Sequence, residues 1–504
     1  MMSPRLTTLV ASAVLCIISG PALGAQQTGT GGRPLSLADA LRIAETASED
    51  VGIARAGADR AQGEHARARS ELYPQVFGTI LYTRTLASEF EDVAGDLPPG
   101  DSSSFDFGSL PFGQPNNWTL GLEVQQTLFS GGRVSAQARM AEASRRIADA
   151  SLATARAQLV LDVIESYYDA ALAERLLAIA ASTLAQSETT LRHTQLARQV
   201  GNQPEFELLR ATVARDNQRP VLIQRKTDRD IALMRLKQLL NLRLDEPLTL
   251  TTPLDDTTAV VPVRLTSDAS TLPDSVAPAD RAPVRQAADA VEVSANALQA
   301  ARSQRWPQVN INVLFGRVAY PSGGVPDWGE FRTNLNIGAV LRVPLITGGR
   351  ISGDVRVARA DLEEARYRLT QARELAELDS HAAMARLEAA EASFAASAGT
   401  AQQATRAYQI AEIRYREGIS TQVELSDSRI LLEQATANRA LAARDLAVAR
   451  ARIALLRDLP FGAIGIPSST AAPAIPQQQT QQQPARSRVP QSAFTGRQTG
   501  GSAP

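Results

Sequence analysis

LFSGGRVSAQARM at residues 128–140 returns as LITGGRISGDVRV at residues 345–357. Leu128, Gly131, Gly132, Arg133, Ser135 and Arg139 match Leu345, Gly348, Gly349, Arg350, Ser352 and Arg356 at an offset of 217 residues. With that offset held, Ala148, Leu152, Ala155 and Arg156 fall on Ala365, Leu369, Ala372 and Arg373, and Gly201, Glu207 and Leu208 fall on Gly418, Glu424 and Leu425. Upstream, Tyr73, Pro74, Gln75 and Val76 answer Trp306, Pro307, Gln308 and Val309 at an offset of 233, so the first copy carries 16 extra residues between these landmarks. Self-similarity of this kind marks a duplicated structural unit. The 504 residues therefore read as two copies of one unit rather than two or three unrelated domains.

The Gly-Gly pair of each copy separates two periodicities. Before it, Leu335, Ile337, Ala339, Leu341, Val343 and Leu345 alternate with Asn334, Asn336, Gly338 and Arg342; Val309, Ile311, Val313 and Phe315 alternate with Asn310, Asn312 and Gly316. The first copy supplies Val76, Ile80 and Tyr82, then Trp118, Leu120, Leu122 and Val124. Period two over about ten residues predicts strands near 73–85, 117–129, 308–320 and 333–345, each long enough to cross a bilayer when tilted. Trp118, Trp306 and Trp328 lie at or beside strand ends, where membrane barrels carry aromatic girdles. Alternation alone also fits two hairpins of a soluble domain with one buried face. The first hairpin loop, between Thr85 and Asn117, holds Glu89, Glu91, Asp92, Asp96, Asp101 and Asp106 with no Lys or Arg, and reads as an exposed external loop.

After each Gly-Gly pair the pattern becomes helical. Residues 133–200 and 350–417 are each 68 residues without proline. A continuous helix of that length runs about 100 Å, more than a compact domain needs. Leu425, Ser428, Leu432, Ala435, Arg439, Ala442, Leu446, Ala449, Ile453 and Leu456 follow steps of three and four, as do Val355, Ala358, Leu362, Ala365, Leu369, Ala372 and Ala376. Alanine-rich seams predict closely spaced antiparallel coiled-coil hairpins, with helices near 133–200 and 203–240, then 350–417 and 420–458. Arg439 interrupts one seam, and Pro220 predicts a kink. The hairpins reverse at Gly201 and Gly418, suited to the left-handed residue after a helix C-terminus.

Composition excludes several functions. With 52 basic and 53 acidic side chains the chain has no surplus for nucleic-acid binding. Arg5, the apolar run 6–18 and the small-x-small pattern of Ala22, Leu23 and Gly24 predict a signal peptide over 1–24, which removes Cys16 and with it disulfides and thiolate chemistry. No apolar run long enough for a spanning helix follows. His65, His193 and His381 are not at metal-ligand spacing, and neither a Walker A loop nor a dinucleotide fingerprint occurs, so no enzyme, cofactor or metal is expected. The first repeat is taken as 25–240 and the second as 280–458. Residues 241–279, rich in Pro, Thr and Asp, bridge them, and the Pro/Gln-rich tail 459–504 is expected to be disordered.

Leader, twofold repeat, paired strands ending in SGGR and TGGR, and long helices reversing at Val200-Gly201 and Glu417-Gly418 together resemble the TolC family of outer-membrane efflux channels. The resemblance covers roughly 35–458. It implies a mixed α and β fold in which four strands per protomer build a 12-stranded transmembrane β-barrel in a homotrimer, continuous with a helical tunnel, the α-barrel. It places 241–279 in an equatorial domain, and the protein in the outer membrane of a Gram-negative bacterium, extending into the periplasm. It implies passive export from an inner-membrane pump of RND or ABC type through a periplasmic adaptor, in efflux or type I secretion. It further implies that Glu207, Tyr415, Glu424 and Asp427 line the periplasmic gate, the latter two as acidic rings. The tips Val200, Gly201, Asn202, Glu417, Gly418, Ile419 and Ser420 would meet the adaptor. Glutamate stands at 207 and 424 where the family's best-known member has aspartate. The alternative is a soluble periplasmic coiled-coil adaptor or scaffold, against which the four strands and their terminal aromatics argue.

Overall fold

A computed structural model describes residues 32–86, 114–255, 277–321 and 323–462. The expected leader, most of the first hairpin loop, half of the inter-repeat segment and nearly all of the tail lie outside the described residues. In chain order the elements are β1 (Arg33–Leu35), α1 (Leu37–Ala47), α2 (Glu49–Ser70), β2 (Gln75–Arg84), β3 (Asn116–Phe129), α3 (Arg133–Gln199), α4 (Glu205–Leu239), β4 (Leu248–Leu250), α5 (Ala282–Ser303), β5 (Gln308–Ala319), β6 (Arg332–Arg342), α6 (Arg350–Arg416) and α7 (Gln422–Leu455).

The four long strands form one antiparallel sheet in the order β2-β3-β5-β6, so the two copies join at β3 and β5. Strand register sorts the side chains. Ile80, Leu120, Leu122, Val313, Phe315, Leu335 and Ile337 share one face; Thr79, Thr119, Gln125, Asn312, Asn334 and Asn336 share the other. Because side chains alternate across a strand, an apolar and a polar face follow directly from the period-two sequence. β2 and β6 each present an edge with no strand partner among the described residues. Alternation in the sequence continues to Leu345, but β6 ends at Arg342, since Pro344 offers no N–H to extend the ladder.

Each strand pair passes into its long helix through two left-handed glycines: Gly131 and Gly132 (φ 61° and 87°), and Gly348 and Gly349 (φ 58° and 85°). A side chain at this φ costs roughly 1–2 kcal/mol, which explains the glycines. α3 and α6 then run 67 residues each. One half of the helical layer is ordered α2-α3-α5-α6; the other is α4-α3-α7-α6. All ten α7 seam positions are buried or half-buried, as are the seven on α6. Arg439 fits its seam by laying its guanidinium over the Phe394 ring, 4.9 Å from the centroid. α4 continues as helix through Pro220.

The core sits where the two halves of the layer meet. Tyr167 and Ile164 of α3 pack there with Leu236 and Leu240, Leu41 and Val51, and Leu455. The two-stranded parallel sheet of β1 and β4 closes it. Tyr167 is fully buried; its hydroxyl donates to the Leu35 carbonyl at 3.0 Å and accepts from Thr252 N at 3.0 Å. Sequence reading did not anticipate this small sheet, nor the division of the first helix at Ser48, whose Oγ caps Val51 N at 3.4 Å. Nearby, buried Arg281 donates to Asp379 Oδ2 at 2.8 Å while Arg452 approaches Oδ1 at 3.6 Å.

Candidate functional site at the helical tips

Both hairpins reverse by the same device. Asn202 N bonds Ala197 O at 2.8 Å and Gly201 N bonds Arg198 O at 2.9 Å; Ile419 N bonds Arg414 O at 2.8 Å and Gly418 N bonds Tyr415 O at 3.1 Å. These are paired Schellman bonds closed by left-handed Gly201 (φ 80°) and Gly418 (φ 71°). Val200, Gly201, Asn202, Glu417, Gly418 and Ile419 are exposed, and Ser420 is half-buried. Thr421 caps α7 by accepting from Glu424 N at 3.4 Å, and Pro204 precedes α4.

The hairpins are tied to each other by side chains of opposite copies. Thr194 of α3 spends its hydroxyl proton on Thr190 O at 2.9 Å, so the Tyr415 hydroxyl of α6, 3.0 Å away, is the donor to Thr194 Oγ1. Buried Gln422 of α7 meets α4: with its amide turned so that both ends find partners, the nitrogen donates to Glu207 Oε2 at 2.7 Å and Glu207 O at 3.2 Å, and the oxygen accepts from Ala211 N at 3.2 Å. Farther from the tip, buried Arg429 donates to Ser187 Oγ at 2.6 Å. Burial holds the Arg429 guanidinium below the usual arginine range, countered by the Tyr408 and Glu433 charges. Burial, with help from Glu412, raises the Tyr408 phenol.

Of the four gate residues inferred from the sequence, Tyr415 and Glu207 take part in these ties. Glu424 and Asp427 instead stand exposed on α7; Glu424 has only Arg414, 3.8 Å away, and Asp427 has no ion pair among the described residues. Gln422 and Arg429 were missed. Each lies one position off the α7 seam, beside Thr421 and Ser428, so the spacing of the apolar residues does not mark either as buried. Between α3 and α6 a cleft of about 300 Å³ opens over Leu425, lined by Gln186, Thr190, His193, Glu412 and Tyr415. Among the described residues no cluster of three His, Cys, Asp or Glu side chains is placed to hold a metal.

A sheet with one apolar face, continued by two helices about 100 Å long, is the architecture expected of an outer-membrane channel that reaches into the periplasm. The family model described as outer membrane efflux protein matches residues 40–242 and 275–457, and the chain belongs to that family. Its place is the bacterial outer membrane, and its activity is that of an efflux channel, which sets aside the soluble-adaptor alternative. The fold is shared with solved structures of low identity. The outer membrane protein VceC of Vibrio cholerae is 20% identical with a TM-score of 0.65, over 83% of this chain and 95% of that one. The CmeC outer membrane channel of Campylobacter jejuni is 15% identical at 0.66, over 84% and 86%. The open-state MtrE outer membrane channel of Neisseria gonorrhoeae is 19% identical at 0.67, over 84% and 89%. Comparison with curated proteins finds no match.

Proposed function

We propose that three copies of this chain close a 12-stranded barrel and a helical tunnel, forming the passive outer conduit of a tripartite efflux or type I secretion system. The observation that carries this is the four-stranded sheet with free β2 and β6 edges, one apolar face and one polar face. Unpaired backbone groups at a sheet edge are untenable in hydrocarbon, so such a sheet must close. Closure by a threefold axis uses every edge. The apolar face then meets lipid and the Asn- and Thr-rich face lines the lumen.

At the other end, the tips at Gly201 and Gly418 dock a periplasmic adaptor that links the channel to an inner-membrane pump of RND or ABC type. Tyr415–Thr194 and Gln422–Glu207 hold the second hairpin to the first and keep the entrance narrow, while three copies of Glu424 and Asp427 form acidic rings that favour cations. Carboxylates on exposed helical faces are ordinarily only solvated, so the rings need a direct test. The detergent-purified protein should be a trimer by native mass spectrometry and conduct in planar bilayers. Neutralising Glu424 and Asp427 to Gln and Asn should weaken cation selectivity. A monomer without conductance overturns the reading. Gly418→Val should abolish pump-dependent export while trimers still insert, and normal export would remove the adaptor role of the tip.

A further inference from the structure

Two charged side chains interrupt the apolar face of the sheet, at equivalent places in the two copies. Alternation along β2 puts Arg84 on the face of Ile80 and Tyr82, and alternation along β5 puts Arg317 on the face of Val313 and Phe315. Both lie toward the strand ends remote from the helices. They stand 233 residues apart, the offset that relates the strands of the two copies, so duplication has placed an arginine at one register position twice. Neither has an ion pair among the described residues.

Arg317 is held in a built setting. Its guanidinium carbon lies 5.3 Å from the Trp328 ring centroid and 5.8 Å from that of Phe331. One Nη donates to Phe331 O at 3.3 Å, and its Nε is buried without a hydrogen-bond partner. Beside it the loop after β5 is fastened down: Trp118 Nε1 donates to Gly324 O at 3.0 Å, and Asn116 donates to Gly323 O at 3.0 Å. Tyr82 stacks on Trp118 at 4.8 Å and its hydroxyl donates to Asn116 at 2.9 Å. A cation fixed among aromatic rings on an apolar face carries a desolvation cost that an anion at the same level relieves. The planar guanidinium fork suits phosphate, and the aromatic rings mark the headgroup level.

We propose that Arg317, with its repeat counterpart Arg84, binds the phosphate of an anionic lipid in the outer leaflet. This rests on the barrel reading above, which makes the apolar face the lipid face; a trimer would carry six such positions around its rim. The test uses the full-length protein in detergent, titrated by native mass spectrometry with phosphorylated lipid A and with the same lipid dephosphorylated. Phosphorylated lipid should bind at least tenfold more tightly, roughly the worth of one charged hydrogen bond. Arg84→Ala with Arg317→Ala should abolish that preference, Arg317→Lys should keep part of it, and Arg332→Ala on the opposite face should change nothing. Inorganic phosphate at equal concentration should not displace the lipid. Equal binding of the two lipids, an unaffected double variant, or displacement by free phosphate overturns the proposal. Bilayer conductance separates the two ideas: a conducting double variant with unchanged lipid binding sinks only the lipid site, whereas a non-conducting wild type sinks the barrel reading too.

Discussion

The junction between the two copies and the outer flanks of the molecule are built from the same parts, yet one is filled and the other open. Inside the chain, β3 pairs β5, α3 packs on α5 and α7, and the left-handed Gly131 lies so close to Trp306 that a Cβ there would come within 2.7 Å of the tryptophan's own. At the flank, the counterpart Gly348 has nothing within 4 Å of a built Cβ. Leu161 of α3 is 4% exposed and its counterpart Leu378 of α6 is 51% exposed. Ala440 of α7 is 3% exposed, against 66% for Ile223 of α4. Large apolar side chains left in the register of a filled junction are the surface that another copy of the chain would cover in the proposed trimer.

That comparison fixes a register. Leu314 faces Glu123 across the filled junction; the two offsets carry this pair to Leu81 of one copy and Val340 of a neighbouring copy. Directly opposed strand residues have Cβ atoms about 4.5–5.5 Å apart, close to disulfide reach. Leu81→Cys with Val340→Cys should therefore oxidise in membranes to a covalent trimer, seen as the dominant band on a non-reducing gel. The shifted pair Thr79→Cys with Val340→Cys should remain largely monomeric. Monomer from the first pair, or faster bridging of the second, breaks the equivalence of junction and flank.

A smaller effect separates the two copies at mid-length. Asp379 of α6 is paired with buried Arg281, whereas among the described residues its counterpart Asp162 of α3 has Gln158 as its hydrogen-bond partner, at 2.7 Å, and no ion pair. Removing one member of a buried ion pair costs about 3–5 kcal/mol, with the other charge left stranded. Arg281→Ala should accordingly lower the thermal midpoint by several degrees, Arg452 at 3.6 Å offsetting part of the loss. Asp162→Asn should leave it unchanged or raised. Equal destabilisation by the two variants would falsify the contrast.

The latch at the tips offers a milder comparison. Gln422 is buried against Glu207 and Ala211, while Glu205, its counterpart 217 positions earlier, is exposed beside Arg198 at 3.4 Å. Gln422→Ala strands a carboxylate that had a donor, a loss of roughly 1–3 kcal/mol. Single-channel open probability should rise several-fold in that variant and stay at the wild-type value in Glu205→Ala. An unchanged recording for both would show that Gln422 is not a latch.

The repeat is why so much was legible in advance. Glycine pairs, strand alternation and alanine seams are local properties, and each appears twice, so the sheet, the long helices and the two reversals could be read from residue spacing. Tyr415 and Glu207 were reached through the resemblance rather than through spacing. What could not be read depends on contacts between distant segments: β1 with β4, Tyr167 with Leu35, and Arg281 with Asp379. Three-residue strands carry no period, and a buried arginine looks like any surface arginine until its partner is placed. Gln422 and Arg429 belong with these, since each is one position off the apolar seam and is buried only by the facing helices.

The faintest asymmetry is electrostatic. On α3, burial raises the carboxyls of Asp162, Glu165 and Glu174; the charges of Arg444 and Arg229 partly oppose this at Glu165 and Glu174, and the Gln158 hydrogen bond does so at Asp162. At the matching places on α6 stand Asp379, Ala382 and Glu391, the first and last paired with arginine. A carboxyl whose folded pKa lies above its unfolded value binds its proton more tightly when folded. Its contribution to stability is therefore full below the unfolded value and is lost as pH rises through the folded one. Where these groups are ionised they weigh against the fold, the more modestly because each is partly exposed to solvent. The variant Asp162→Asn, Glu165→Gln, Glu174→Gln should melt higher than wild type at pH 7, with the gap closing as pH falls toward the ordinary carboxylate range. A gap that stays constant across that window would mean that the α3 carboxylates find compensating cations in the assembled tunnel, and that the two long helices are electrostatically equivalent after all.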